Sequence, residues 1–408
     1  MAPELLVTRM RDFTTTIFAE MTAVAQRTGA VNLGQGFPDE DGPEEMLDAA
    51  ATALHQGLNQ YPPLPGLPAL RRAVARQRED RYGLHYDPDA EVLITVGATE
   101  GVSASILALV QPGDDVVLFE PYYDSYVAAI ALAGARRVPV LLRPERPGGR
   151  FTFDPDELRR AITPRARLLL LNSPHNPTGT VLTEEELRQI AELAVERDLL
   201  VVTDEVYEYL TFDGARHLPI ATFPGMHERT VSISSAGKTF SATGWKVGWV
   251  LAPAELVGAV RTVKQFLTFA VNGAFQQAVA FGLTHELDWV EGLRTTLQRR
   301  RDELSAGLRE AGFLVHPGQA TYFLQADVRS VGVEDARDFA FRLIEEAGVV
   351  GIPSQVFYDA KAAGRPYLRF AFCKREAVIA DVVQRLRAYA SQQDGGASAG
   401  QGPPVGTA

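Results

Sequence analysis

The residues of this chain that could do chemistry follow short apolar runs. Lys238 sits in SAGKTF, a small-residue turn three positions beyond Ser235. An amine sheltered among small neighbours is a candidate Schiff-base former, because burial lowers its pKa and exposes its lone pair. Asp204, in TDEVYEYL, directly follows the run LLVV. A carboxylate at that depth is costly unless paired or hydrogen-bonded, so a cationic partner is expected. GATEG, Gly97 to Gly101, follows VLITV and opens a helical pattern. Its free N–H groups and the positive end of the helix dipole suit an anion such as phosphate. EPYYDSY (120–126) offers aromatic rings, and NSPHNPTG (172–179) sets two asparagines in strong turn chemistry. Each has an ordinary explanation when read alone: packing aromatics, turn residues, a solvated lysine, an N-cap. His175 reads as a solvated loop histidine, and Arg299, Arg300 and Arg301 as the solvated face of a helix.

The elements that must hold these turns are the runs themselves. VLITV (92–96), VVLF (116–119), LLLL (168–171), LLVV (199–202), VSIS (231–234) and VGWVL (247–251) are continuous rather than alternating. Such runs suit strands buried on both faces, as in a parallel sheet covered by helices. TEEELRQIAELAVERD lies between two of them, with Thr183 and Glu186 in capping-box spacing and an apolar stripe behind. The pattern is α/β. Ligands of such sheets bind at the carboxyl ends of the strands, where all of these turns fall. Together the groups fit one ligand type, a phosphorylated aromatic aldehyde with a basic ring nitrogen. The helix end would hold the phosphate, an aromatic would cover the ring, the aspartate would pair with the ring N–H and the lysine would form the imine. That ligand is pyridoxal 5′-phosphate.

Composition bounds the reading. The 408 residues could hold two or three domains, with 46% hydrophobic and 22% charged residues, which is ordinary globular composition. A net charge of −11 argues against a nucleic-acid or anionic-membrane partner. The single cysteine, Cys373, cannot form an internal disulfide, and no stretch reads as a transmembrane helix. The first residues lack the pattern of a signal peptide, so a soluble, cytoplasmic setting is expected. Long helical patterns from about 255 to 312, and mixed signals to about 390, suggest a second, smaller domain completed by the N-terminal segment. The end, 391–408, is rich in glycine with little to bury, and is expected to be a disordered tail.

Eight motifs in order make the chain resemble the class I/II, fold-type I pyridoxal-phosphate aminotransferases. They are NLGQGFPD (32–39), NQYPP (59–63), VGATEG (96–101), EPYYDSY, NSPHNPTG, TDEVYEYL (203–210), SSAGKTFSATGWKVGWVLAP (234–253) and YLRFAFCK (367–374). Within the family it is most similar to the kynurenine or glutamine-phenylpyruvate, methionine and N-succinyldiaminopimelate aminotransferases. The resemblance implies an α/β large domain with a mostly parallel seven-stranded sheet and a smaller α+β domain built from both chain ends. Its divisions would be 1–45 for an N-terminal arm and part of the small domain, 46–285 for the large domain, 286–390 for the small domain, and 391–408 for the tail.

The same resemblance implies roles. Lys238 would carry the cofactor as an imine and act as general acid/base. Asp204 would keep the ring nitrogen protonated, Tyr207 and Asn176 would bond the phenolic oxygen, and Tyr123 would stack on the ring. The backbone at Ala98 and Thr99, with Ser235 and Lys246, would hold phosphate, and Tyr61 would reach it from the other subunit of a homodimer. Arg369 would clasp the substrate α-carboxylate, assisted by Asn176 and the backbone at Gly36. Phe18, and Phe269 from the partner subunit, would wall the side-chain pocket. No residue is assigned to a metal. The implied reaction is transamination between an L-α-amino acid and a 2-oxo acid. The alternatives are β-elimination from cysteine S-conjugates on the same site, and a non-catalytic binding module. Lys246 stands where aspartate-type relatives have arginine. Phe18 and Thr99 stand where the kynurenine branch has tryptophan and tyrosine, which leaves the substrate preference open.

Overall fold

The computed structural model describes residues 5–13 and 17–398, of which 394–398 are described by backbone alone. Seven strands form the main sheet: β1 (Val92–Val96), β2 (Asp115–Glu120), β3 (Arg136–Leu141), β4 (Ala166–Asn172), β5 (Leu200–Asp204), β6 (Thr230–Ser235) and β7 (Val247–Leu251). Their order is β1-β7-β6-β5-β4-β2-β3, and only β7 runs antiparallel to its neighbours.

The apolar runs are unalternated because helices cover both faces. Leu118, Leu170, Val202, Ile233 and Val250 point to one side, where Val102 and Ile106 of α1 (Gly97–Leu109) meet them. Their alternates Val117, Leu169, Leu171 and Val201 point to the other, against Leu187, Ile190 and Ala194 of α2 (Glu184–Glu196). The capping box on α2 is formed, with Thr183 and Glu186 bonded reciprocally. Register then aligns the carboxyl ends: Asn172 lies opposite Asp204, and Asp204 opposite Ile233.

A second, antiparallel sheet follows: β8 (Leu314–Val315), β9 (Phe323–Asp327), β10 (Ile352–Pro353) and β11 (Tyr367–Ala371), ordered β8-β9-β11-β10. Its core gathers Leu297, Leu304 and Leu308 of α3 (Leu287–Glu310), and Ile379, Val382 and Leu386 of α4 (Glu376–Ser398). Ile17, Met21, Ala25 and Leu33 from near the N-terminus pack into the same core, so both ends of the chain meet there.

Several expectations are corrected. Residues 391–398 are not tail but the last turns of α4, because extending a docked helix adds one bond per residue without a new nucleus; residues 399–408 lie outside the described residues. Arg299 is exposed, but Arg300 and Arg301 are buried. Arg300 pairs with Glu40 at 2.6 Å and Arg301 with Asp213 at 2.5 Å. Partners 260 and 88 positions away offset their desolvation. His175 is buried rather than solvated, with Nδ1 2.7 Å from Thr178 Oγ1, and burial pushes its pKa down to about 4. No described helix is long and apolar enough to cross a membrane.

Candidate active site

The carboxyl edge of the main sheet and the face of β9 and β11 enclose a cavity of about 370 Å³. Its lining includes Phe18, Gly36, Ala98, Thr99, Tyr123, Asn176, Asp204, Tyr207, Ser235, Lys238, Lys246 and Arg369. Twelve candidate positions scattered over 350 residues thus meet in one place. The two expected to come from a partner subunit do not join them. Tyr61 is exposed and packs edge-on against Phe269, ring centroids 5.4 Å apart.

At one end, β1 turns into α1 through Gly97, whose φ of +69° favours glycine. β7 passes directly beneath, where a Cβ on Gly248 would lie 2.5 Å from the Gly97 carbonyl carbon. Only glycine permits that approach. Lys246, held in the left-handed region at φ 54°, lays its ammonium across this turn. Helix N-terminus and ammonium together make an anion cradle, with the Ser235 hydroxyl beside it in the cavity wall.

In the middle lie Asp204 and Lys238. Asp204 ends β5 and is buried; it accepts from the Tyr126 hydroxyl at 2.7 Å and from the Val206 N–H at 3.2 Å. The expected bonded cation is not supplied by the described residues: Lys238 acts on this carboxylate only through its charge. Burial raises the Asp204 pKa, although Tyr126 and the Val206 N–H act against it. Lys238, on a single turn after β6, donates to the Tyr322 hydroxyl at 2.7 Å and to the Gly36 carbonyl at 3.3 Å. Burial pushes its pKa down to about 8, so at neutral pH a usable fraction is free amine.

At the other end, Arg369 rises from β11. Its Nη1 donates to Asn176 Oδ1 and its Nη2 to the Gly34 carbonyl, both at 3.1 Å. The guanidinium carbon sits 4.0 Å above the Phe323 ring, with Phe357 and Phe18 at 4.8 and 5.3 Å. Its Nε is buried and has no bonding partner among the described residues. Burial pushes the guanidinium pKa down to about 10, which leaves it charged at neutral pH.

Sequence reasoning gave no role to Tyr126, Tyr322 or Phe323. Tyr126 lies within EPYYDSY and could have been noticed. The other two sit in QATYFLQAD, where nothing local separates a site residue from a core aromatic.

Beside a charged cradle, a buried carboxylate with no cation bonded to it, a half-buried amine whose charge is disfavoured by desolvation and a buried guanidinium with an orphaned donor are three costly features in one cavity. They are the complement of pyridoxal 5′-phosphate and an amino acid: phosphate for the cradle, ring N–H for Asp204, aldehyde for Lys238, carboxylate for Arg369. The donor set therefore fits that cofactor.

Comparison with known proteins agrees. The family described as aminotransferase class I and II matches residues 28–386. A probable N-succinyldiaminopimelate aminotransferase of Mycobacterium tuberculosis is 53% identical over 397 residues, 95% of this chain and 99% of that protein. The methionine aminotransferase of Escherichia coli is 39% identical over 91% of this chain and 95% of its own length. A solved structure of N-succinyldiaminopimelate aminotransferase from M. tuberculosis superposes with a TM-score of 0.91 at 54% identity, covering 94% of this chain and all of that one. The chain belongs to the class I and II aminotransferases. It is a fold-type I enzyme that depends on pyridoxal 5′-phosphate and moves an amino group between an amino acid and a 2-oxo acid.

Proposed function

We propose that this cavity is the transamination site, with Lys238 as the proton-moving amine and N-succinyldiaminopimelate as the first amino donor to test. The observation that carries the reading is the placement of one half-buried amine, one buried carboxylate and one buried guanidinium around a single cavity. The cofactor supplies, when bound, an electron sink that makes the substrate Cα–H acidic. This chain's residues do the rest. Lys246, Ser235 and the start of α1, including the N–H groups of Ala98 and Thr99, hold the phosphate. Asp204 pairs with the ring N–H, and Tyr126 keeps that carboxylate in place. Tyr207 and Asn176 bond the phenolic oxygen, and Tyr123 covers the ring. Arg369 takes the substrate carboxylate as a planar fork, its orientation fixed by Asn176, Gly34 and the Phe323 ring beneath it. The backbone at Gly36 assists there. Lys238 accepts the Cα proton as free amine and returns it as ammonium, so the site gains no net proton.

The donor reading is supported by the 53% identity to a protein named for that substrate. The cations of the cavity lining are Lys238, Lys246 and Arg369. None is left there for the ω-carboxylate of a short substrate such as aspartate. We further infer a homodimer in the cytoplasm. Exposed Tyr61 and Phe269 pack together into an apolar patch suited to a second copy, with Phe266 exposed three residues before Phe269, and such a copy would bring Tyr61 and Phe269 to the other subunit's cavity. A panel of amino donors against 2-oxoglutarate, read first by cofactor absorbance, tests the substrate. N-succinyldiaminopimelate should exceed methionine, glutamine, phenylalanine and kynurenine in kcat/KM. A preference for any of those four overturns the choice of donor.

A further inference from the structure

Tyr322 lies just before β9, next to Phe323 of the cavity wall, and is buried. Its hydroxyl lies 2.9 Å from the Gly36 carbonyl oxygen and 2.7 Å from Lys238 Nζ. As ammonium, Lys238 has no lone pair and can only donate, so the phenol oxygen accepts from Lys238 and the phenol proton is left for the Gly36 carbonyl, which also accepts from Lys238 at 3.3 Å. The chain of bonds therefore has one direction: Lys238 N–H to Tyr322 O–H to Gly36 C=O. The ring is clamped as well as the hydroxyl, since Tyr207 and Phe323 meet it edge-on at 5.2 and 5.1 Å. Gly36 is held by the same packing, because a Cβ there would come within 2.5 Å of Phe323 Cζ. Burial raises the Tyr322 pKa well above its ordinary value, so the hydroxyl stays a donor throughout the working pH range.

We propose that Tyr322 is a positioning residue for the proton transfer. By taking one N–H of the released Lys238 amine it fixes the rotation of Nζ, and so aims the lone pair into the cavity toward the substrate Cα. Without it the amine keeps only the longer, 3.3 Å bond to the Gly36 carbonyl, and turns more freely or spends its lone pair on another donor. This rests on the assignment of Lys238 as the amine that carries the proton.

Tyr322→Phe keeps the ring and removes only the bond. KM should stay within about twofold while kcat falls about tenfold. The isotope effect on kcat with a Cα-deuterated donor should rise, because proton transfer becomes the slow step. A second readout needs no turnover. The phenol oxygen favours the charged amine, so its loss should lower the Lys238 pKa by about one unit. This is measured as the pH dependence of Lys238 acetylation by acetic anhydride in cofactor-free protein, followed by peptide mass. If Tyr322→Phe fails to fold, 4-fluorophenylalanine at 322 keeps the ring and nearly its length while replacing the hydroxyl by a far weaker acceptor that donates nothing, with changes in the same directions. An unaltered isotope effect together with an unaltered acetylation profile overturns the proposal, provided Lys238→Ala is inactive. A fully active Lys238→Ala overturns the Lys238 assignment and this inference with it.

Discussion

Two clusters of buried charge stand back to back on the segment that follows β5. Asp204 and Tyr207 face the cavity, while Glu205 and Glu208 face the opposite way. There Arg78 Nη1 lies 2.8 Å from Glu205 Oε2 and 3.2 Å from Glu208 Oε2, and His217 lies 3.4 Å from Glu205. Burial would push the Glu205 carboxyl up, but Arg78 and His217 hold it below its ordinary value. In the cavity the outcome is reversed: burial wins at Asp204, whose pKa rises, and at Lys238, whose pKa falls. The same few residues thus carry a paired cluster that holds the fold and an unpaired cluster kept ready for a ligand. What separates scaffold from site is whether burial or a partner decides each charge.

The comparison can be broken from either side. The largest effect is expected at Lys238. Lys238→Met should cut turnover by about 10⁴-fold or more. In cofactor-free protein it should also raise stability. A pKa held at about 8 against an ordinary 10.5 costs about 3 kcal/mol below pH 8. Between those values the unfolded chain binds more protons, so wild-type stability rises with pH there, and the variant should lose that rise. Melting curves from pH 6 to 11 check both.

Arg78→Met should do the opposite, destabilising by about 3–5 kcal/mol because two buried carboxylates lose their cation. Denaturant unfolding measures this, and a neutral result would put the back cluster on a par with the site. Arg369→Lys replaces a two-donor fork by a point charge and should lower kcat/KM by about 10- to 100-fold, with the donor's carboxylate as the lost contact. The smallest effect is expected for Tyr126→Phe, which removes one bond to Asp204. That change should weaken cofactor binding about tenfold, as read by equilibrium dialysis.

The main sheet was readable because its strands are covered on both faces, which leaves a run such as LLLL with no competing interpretation. β3 escaped because Arg136, Arg137 and Pro139 break its run, which an edge strand paired on one side tolerates. Lys238 and Asp204 were readable because each follows such a run directly. Tyr322 and Phe323 were not, since the other sheet's packing alone places Phe323 in the cavity wall and the Tyr322 hydroxyl against Lys238. Arg300, Arg301 and His175 were misread for a related reason: a residue's own neighbours in sequence say nothing of Glu40, Asp213 or the buried loop that encloses it.

The central claim is that Lys238 is the residue that holds the cofactor. Borohydride reduction of the cofactor-loaded protein, followed by peptide mass mapping, tests it most directly. The account predicts a single pyridoxyl group on the peptide containing Lys238. A pyridoxyl group on Lys246 or Lys374 instead, or none at all, would contradict it.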